Sequence, residues 1–249
     1  MTAADIVAAL QLPATTRVDQ RVPKTTLIER SDCTATDKRH IRDGIEELLW
    51  VASLKPETVG VPLYRDEERE YLELAVLSLN LRTDAKASRL VELIHRSIPY
   101  PVLLITERSS TLSLSGAHIR RSLNEAGRIV LSDTLVAVEL PPTTDSSLVL
   151  PLLALGGYPA AHLSALYQGW LERIELLAAA QITGRYELAN DPAAATARRT
   201  ALAEHARLTR EIVQLPARAE RETQLAKRVE YNQEIQRCQA ALAAAKQTL

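Results

Sequence analysis

From Ala193 to Thr248 the sequence contains no glycine and a single proline, Pro216, and is rich in Ala, Arg, Glu, Gln and Leu. Strong helix formers without turn residues leave little choice but helix. Leu208, Ile212 and Leu215, then Leu225 and Val229, fall at alternating four- and three-residue steps. That spacing marks a seam along which two helices pack, with Glu222 and Gln233 on it if the register is held. Pro216 either kinks the helix or opens a second one, and a helical hairpin bent near 216 is the preferred reading.

The N-terminal half alternates in character. Thr2 to Leu10 suits a short amphipathic helix, stopped at Leu12-Pro13, and Arg17 to Glu29 reads as polar and extended. Ile41, Ile45, Leu48 and Leu49 recur at helical spacing, which predicts a helix over 36–50; Gly44 costs it stability for no reason visible in the sequence. Val59 to Tyr64 and Glu70 to Arg82 read as strands joined by a charged turn. In the second, Leu72, Leu74, Val76 and Ser78 share one face and Glu73, Ala75, Leu77 and Leu79 the other. Thr83 or Asp84 caps a helix to about Ser97, with Leu90, Leu93 and Ile94 inward. Val102 to Glu107 is a buried strand; Thr111 to Ser115 and Arg128 to Leu140 add more. His162 to Gln181 is a helix containing Trp170, and Asn190-Asp191-Pro192 starts the next. The expected fold is α/β (α+β): a mixed-sheet domain over 1–145, a helical connector over 146–192, and a coiled-coil-like helix or hairpin over 193–249.

Net charge is −1, so no global field points to nucleic acid, yet its distribution is uneven. Arg198 to Leu249 carries ten Lys+Arg against six Asp+Glu, and the remainder twenty against twenty-five. Arg198, Arg199, Arg207, Arg210, Arg218, Arg221, Lys227 and Arg228 would decorate a helical rod, where each phosphate contact adds salt-dependent affinity. The competing reading is a solvated face with arginines paired to Glu204, Glu211, Glu220 and Glu222. Arg120, Arg121 and Arg128 form a second small cluster. Cys33 and Cys238 lie far apart without metal-ligand spacing, which suits free thiols in a reducing compartment. No basic region precedes the first apolar run, so no signal peptide is expected. The longest apolar stretch, Leu148 to Leu155, contains Pro151 and falls well short of the ~20 residues of a membrane span. A soluble, cytoplasmic protein is expected.

Motifs for catalysis are incomplete. There is no GxxxxGK[ST] and no GxGxxG, and Gly156-Gly157 reads as a loop. The histidines at 40, 95, 118, 162 and 205 are scattered singly. A restriction-type nuclease needs an acid and then an acid-x-lysine to hold Mg²⁺ and support the attacking water. Glu73 supplies one acid, but Ala75 stands where the lysine belongs. Ser115-Gly116 lacks a nucleophile elbow, and Cys33 has no histidine closer than His40. No cofactor or metal is expected.

Several stretches resemble the domain-of-unknown-function family number 4391. They are Leu12-Pro13 with Arg21-Val22-Pro23-Lys24, Ile45 to Trp50 with Leu54-Lys55-Pro56-Glu57-Thr58, Ile98-Pro99-Tyr100-Pro101, and Gln224 with Lys227 to Asn232. Leu225 departs from the phenylalanine associated with the family. The resemblance implies a setting beside DNA methyltransferases and helicase-type ATPases in restriction-like or antiphage gene clusters, with no catalytic residues. Trp50 is expected in the core, and Lys24 and Lys55 are the motif residues suited to anions. The expectation is a non-enzymatic scaffold whose tail docks through Leu208, Ile212, Leu215, Leu225 and Val229 onto such a machine, or pairs with another copy. Direct DNA binding by the arginine-rich tail, and a divergent Mg-dependent nuclease at Glu73, are the alternatives.

Overall fold

The computed structural model describes residues 1–30, 33–121, 129–132, 134–157, 161–189 and 191–249, with backbone only at Arg30 and Arg121. The chain packs as two units, Met1–Ile174 and Glu175–Leu249.

The first unit begins with α1 (Ala3–Ala9), whose Thr2 and Asp5 cap each other's backbone N–H groups. Then follow β1 (Arg17–Arg21), α2 (Lys24–Arg30), α3 (Ala35–Gly44), β2 (Ile45–Leu54) and the single turn α4 (Pro56–Val59). A small hairpin of β3 (Tyr64–Arg65) and β4 (Glu70–Tyr71) leads to β5 (Leu74–Leu81), α5 (Ala87–Ser97), β6 (Val102–Arg108) and β7 (Thr111–Gly116). Next come β8 (Ile119–Arg121) paired with β9 (Ile129–Leu131), β10 (Val136–Leu140), α6 (Ser146–Val149) and α7 (Leu163–Thr183), within which the unit boundary falls.

Six strands form one mixed sheet in the order β1-β2-β5-β6-β7-β10. Only β5 and β6 run parallel, as the intervening α5 crossover requires. Period-two alternation in β5 sends Ala75, Leu77, Leu79 and Leu81 to a core with Val102, Leu104, Ile41 and the α5 residues Leu90, Leu93 and Ile94. Leu74 and Val76, on the opposite face, are also buried. Both faces are therefore covered, and each fully buried leucine contributes about 1.5–3 kcal/mol of transfer free energy.

The single helix expected over 36–50 is two elements. Asp37 of α3 closes a capping box with Thr34, and the chain turns into β2 after Gly44. The reason for that glycine is a close approach: a Cβ there would meet Leu90 Cδ1 at 2.9 Å and Ala85 Cβ at 3.1 Å. Residues 24–29, expected extended, belong to helix α2, because Pro23 interrupts β1 and Thr26 N–H returns to Pro23 O at 3.1 Å. The strand expected over 59–64 is reduced to Tyr64–Arg65, since Pro56 starts α4 and left-handed Gly60 (φ 67°) ends it. Glu70–Arg82 is broken at residues 72–73, and α5 starts at Ala87, beyond the caps expected at Thr83 or Asp84. Trp50 is half-buried, edge-on to Tyr100 at 6.1 Å, with its Nε1 donating to Ala52 O at 3.0 Å.

In the second unit α7 ends at Gly184, which adopts φ 76° and donates its N–H to Ala180 O at 2.7 Å. Asp191 caps α8 (Pro192–Arg221) by accepting from Ala194 N–H at 2.8 Å, with Pro192 in the first turn. The neighbouring Asn190, expected to share that start, lies outside the described residues. Helix α9 (Leu225–Thr248) returns along α8. Leu208, Leu215 and Cys238 form the core between them, flanked by Ile212, Tyr231, Ile235 and Leu242. The reversal lies at residues 222–224, while Pro216 remains inside α8, so the hairpin turns later than expected. No helix among the described residues is long and apolar enough to cross a membrane.

Candidate partner and nucleic-acid interface

Leu208, Ile212 and Leu215 face α9, and Leu208 and Leu215 are buried there. Leu225 and Val229, expected on the same seam, are instead 74% and 47% exposed. The cause is the three-residue turn, which breaks the helical phase. On α9 the inward positions are Tyr231, Ile235, Cys238 and Leu242, at steps of four, three and four. Val213, 73% exposed, joins Leu225 and Val229 as a large apolar side chain left in solvent.

The cations divide into two sets. Arg207 bridges Glu204 Oε1 at 2.6 Å and Glu211 Oε1 at 2.7 Å, and its hydrogen bonds hold the Glu204 carboxyl below the usual range. Arg199 reaches the buried Glu175 at 2.6 Å. Arg198 donates to Glu187 O at 2.7 Å, Arg210 to Ala206 O at 3.2 Å and Arg218 to Gln214 Oε1 at 3.3 Å. The side chains of Arg221, Lys227 and Arg228 have no hydrogen-bond or ion-pair partner among the described residues, and all three flank the turn. Glu222 lies between them in sequence and Glu220 and Glu230 on either side, so the tip has mixed charge. Arg120 follows β7 in the first unit; Arg128 and the Arg121 side chain lie outside the described residues.

Glu73, His95 and His118 are each engaged by neighbouring side chains. Glu73 sits just ahead of β5, 9% exposed, accepting from Ser53 Oγ and lying 3.7 Å from Lys55 Nζ. Ala75 points into the core. Among the described residues, no three His, Cys, Asp or Glu side chains converge as ligands for a metal. His95 is buried against Ser115 Oγ at 3.0 Å, and burial pushes its imidazole down to about 3, leaving it neutral. His118 joins Tyr71 OH through Nδ1 and Gln168 Oε1, at 2.8 Å, through Nε2. Cys33 and Cys238 are not joined in a disulfide.

A family model described as Domain of unknown function (DUF4391) matches residues 10–242. The chain belongs to this family. No curated protein and no solved structure matches it.

In this DUF4391 member the motif residues have structural positions. Lys24 Nζ donates to Arg42 O at 2.8 Å, closing the C-terminal end of α3. Desolvation and then the Arg82 and Arg21 charges lower its pKa. Lys55 flanks Glu73, and its N–H is capped by Thr58 Oγ1 at 2.9 Å. Pro99 and Pro101 end α5 and aim the chain into β6, with Pro101 O accepting from Ala75 N–H at 2.9 Å. The contacts around Tyr71, His118, Tyr167 and Gln168 had no signal in the sequence, since they join β4, the link between β7 and β8, and α7.

Proposed function

We propose that this DUF4391 protein is a non-catalytic accessory subunit that docks, through its C-terminal hairpin, onto a DNA-modifying or helicase-type machine of restriction-like or antiphage character. The observation that carries the reading is the hairpin's own economy. Its seam is one residue wide on each helix, and Val213, Leu225 and Val229 stay in solvent beside a coiled-coil-like core. Surface of that kind supports a partner. The resemblance to a family found beside methyltransferases and helicase-type ATPases supplies the class of machine. The experiment is tagged co-expression of the full chain with those neighbours, and with a variant carrying Arg221→Glu, Lys227→Glu, Val213→Asp and Val229→Asp. Recovery of a methyltransferase or helicase by the wild type and its loss in the variant supports the reading; recovery unchanged by the variant contradicts it.

A second reading, direct DNA binding, is favoured by the three unpartnered cations at the turn. It requires affinity that falls steeply with salt and disappears on charge reversal at Arg221, Lys227 and Arg228.

A further inference from the structure

The two long sides of the hairpin differ in charge. In an antiparallel pair of right-handed helices, residues one step C-terminal to the seam lie on the same side of both helices, and residues one step N-terminal lie on the other. The second side is ionic. Glu204, Arg207 and Glu211 lie on α8, Glu234 lies on α9, and Cys238 Sγ is 3.7 Å from Glu211 Oε2. Glu211, Glu234 and Arg207 all lie within electrostatic reach of Cys238, which places the charged flanks of both helices together.

The first side carries Thr209, Val213 and Pro216 from α8 and Leu225, Val229 and Gln236 from α9. Between Leu202 and Ala219, and between Leu225 and Ala245, the seam-flanking positions on this side hold no ionisable residue. All three large exposed hydrophobics of the hairpin are there. A merely solvated helical face is normally where charge is densest. A long neutral strip on one flank, with the Arg207 ion pairs on the other, is the pattern of a surface that becomes covered.

We propose that this neutral flank pairs with the same flank of a second copy, so that two hairpins form a four-helix assembly. A two-fold interface demands that one patch be complementary to itself, which a charge-free strip is. The strip has no field with which to select a charged partner. Its length is about 25 Å at 1.5 Å per residue, and two helices are about 20 Å wide, so each copy presents about 500 Å². Two copies together reach about 1,000 Å², the lower bound for a specific interface, which fits a weak dimer. The pairing shares Val213, Leu225 and Val229 with the proposed docking surface, so it is tested on the isolated chain, and it involves no residue of the tip cations.

Sedimentation equilibrium of the purified full chain, from about 1 to about 200 µM, tests it without any partner present. The expected result is a weight-average mass that climbs from the 27.5 kDa monomer toward twice that value. Val213→Asp with Val229→Asp weakens self-association at least about tenfold, whereas Arg207→Ala, on the ionic flank, leaves it unchanged. Far-UV circular dichroism checks that helicity is retained. Should the aspartate pair unfold the hairpin, Thr209→Arg with Gln236→Arg places charge on the same strip without removing an apolar group and must weaken the dimer equally. A chain that stays monomeric at the highest concentration overturns the proposal. So does growth beyond the dimer mass, or a dimer indifferent to charge on this flank.

Discussion

Substituting Gly116 by alanine places a methyl where the first unit has no room. The added Cβ would lie 2.6 Å from Leu171 Cδ2 and 2.9 Å from the Tyr167 hydroxyl. Leu171 is buried and its terminal methyl can shift only by displacing packed neighbours. Tyr167 is held harder: its hydroxyl accepts from Ala117 N–H at 2.9 Å and faces the carbonyls of Val102 and Ala117 at 2.8 and 3.1 Å. Overpacking of this kind costs about 1–3 kcal/mol. Disturbing a buried hydroxyl that satisfies a backbone N–H adds about 1 kcal/mol, for a total of about 2–4 kcal/mol. Urea unfolding of the full chain, followed by the fluorescence of Trp170 beside Tyr167, reads the change. Tyr167→Phe removes the hydroxyl itself and costs about 1–3 kcal/mol by leaving Ala117 N–H unsatisfied. In that background Gly116→Ala must become cheaper by about 1 kcal/mol, because one of its two collisions is gone. A cost for Gly116→Ala below about 0.5 kcal/mol, or strict additivity of the two substitutions, refutes the reasoning.

Pro216→Ala restores a backbone N–H inside α8, so it stabilises the hairpin by about 1–3 kcal/mol, seen as a higher melting temperature of the helical signal. His95 gives a pH dependence. Its folded-state pKa of about 3 lies below the unfolded value of about 6.5. The unfolded chain therefore takes up the proton first, and stability present above about pH 6.5 is lost as pH falls toward 3, by at most about 1.4 kcal/mol per unit. Urea midpoints at pH 7, 6 and 5 show that slope in the wild type and a flatter one in His95→Gln. Asp37 titrates lower: hydrogen bonds from Arg89 and Thr34 hold its carboxyl well below the usual range. Its stabilisation is present above the unfolded pKa of about 3.9 and is lost only below it. If the tip contacts DNA, reversing Arg221, Lys227 and Arg228 lowers the slope of log affinity against log salt by about 3, measured by fluorescence anisotropy.

The mixed sheet, α5 and the C-terminal helices were legible because their signals are local. Period two in Leu74 to Leu79 and period 3.6 in Leu90 to Ile94 map onto the faces that are buried. Residues 36–50 misled because Ile41, Ile45 and Leu48 meet one core whether the second half is helix or strand. The residue that separates the two elements, Gly44, owes its identity to Leu90 and Ala85 on a distant segment. Leu225 and Val229 misled for a related reason: heptad counting assumes an unbroken helix, and residues 222–224 reset the phase. Which arginines are engaged was also beyond the sequence. Arg199 and Arg221 look alike there, but one meets Glu175 and the other stands at the turn.

Whether the hairpin is the docking element is read out by cross-linking mass spectrometry on a co-purified assembly. Lysines are conveniently spaced, with Lys227 and Lys246 in the hairpin and Lys24, Lys38, Lys55 and Lys86 in the first unit. If the hairpin docks, cross-links to a methyltransferase or helicase-type ATPase concentrate at Lys227. A complex joined only through Lys24, Lys38, Lys55 or Lys86, with Lys227 unmodified by the partner, would contradict it.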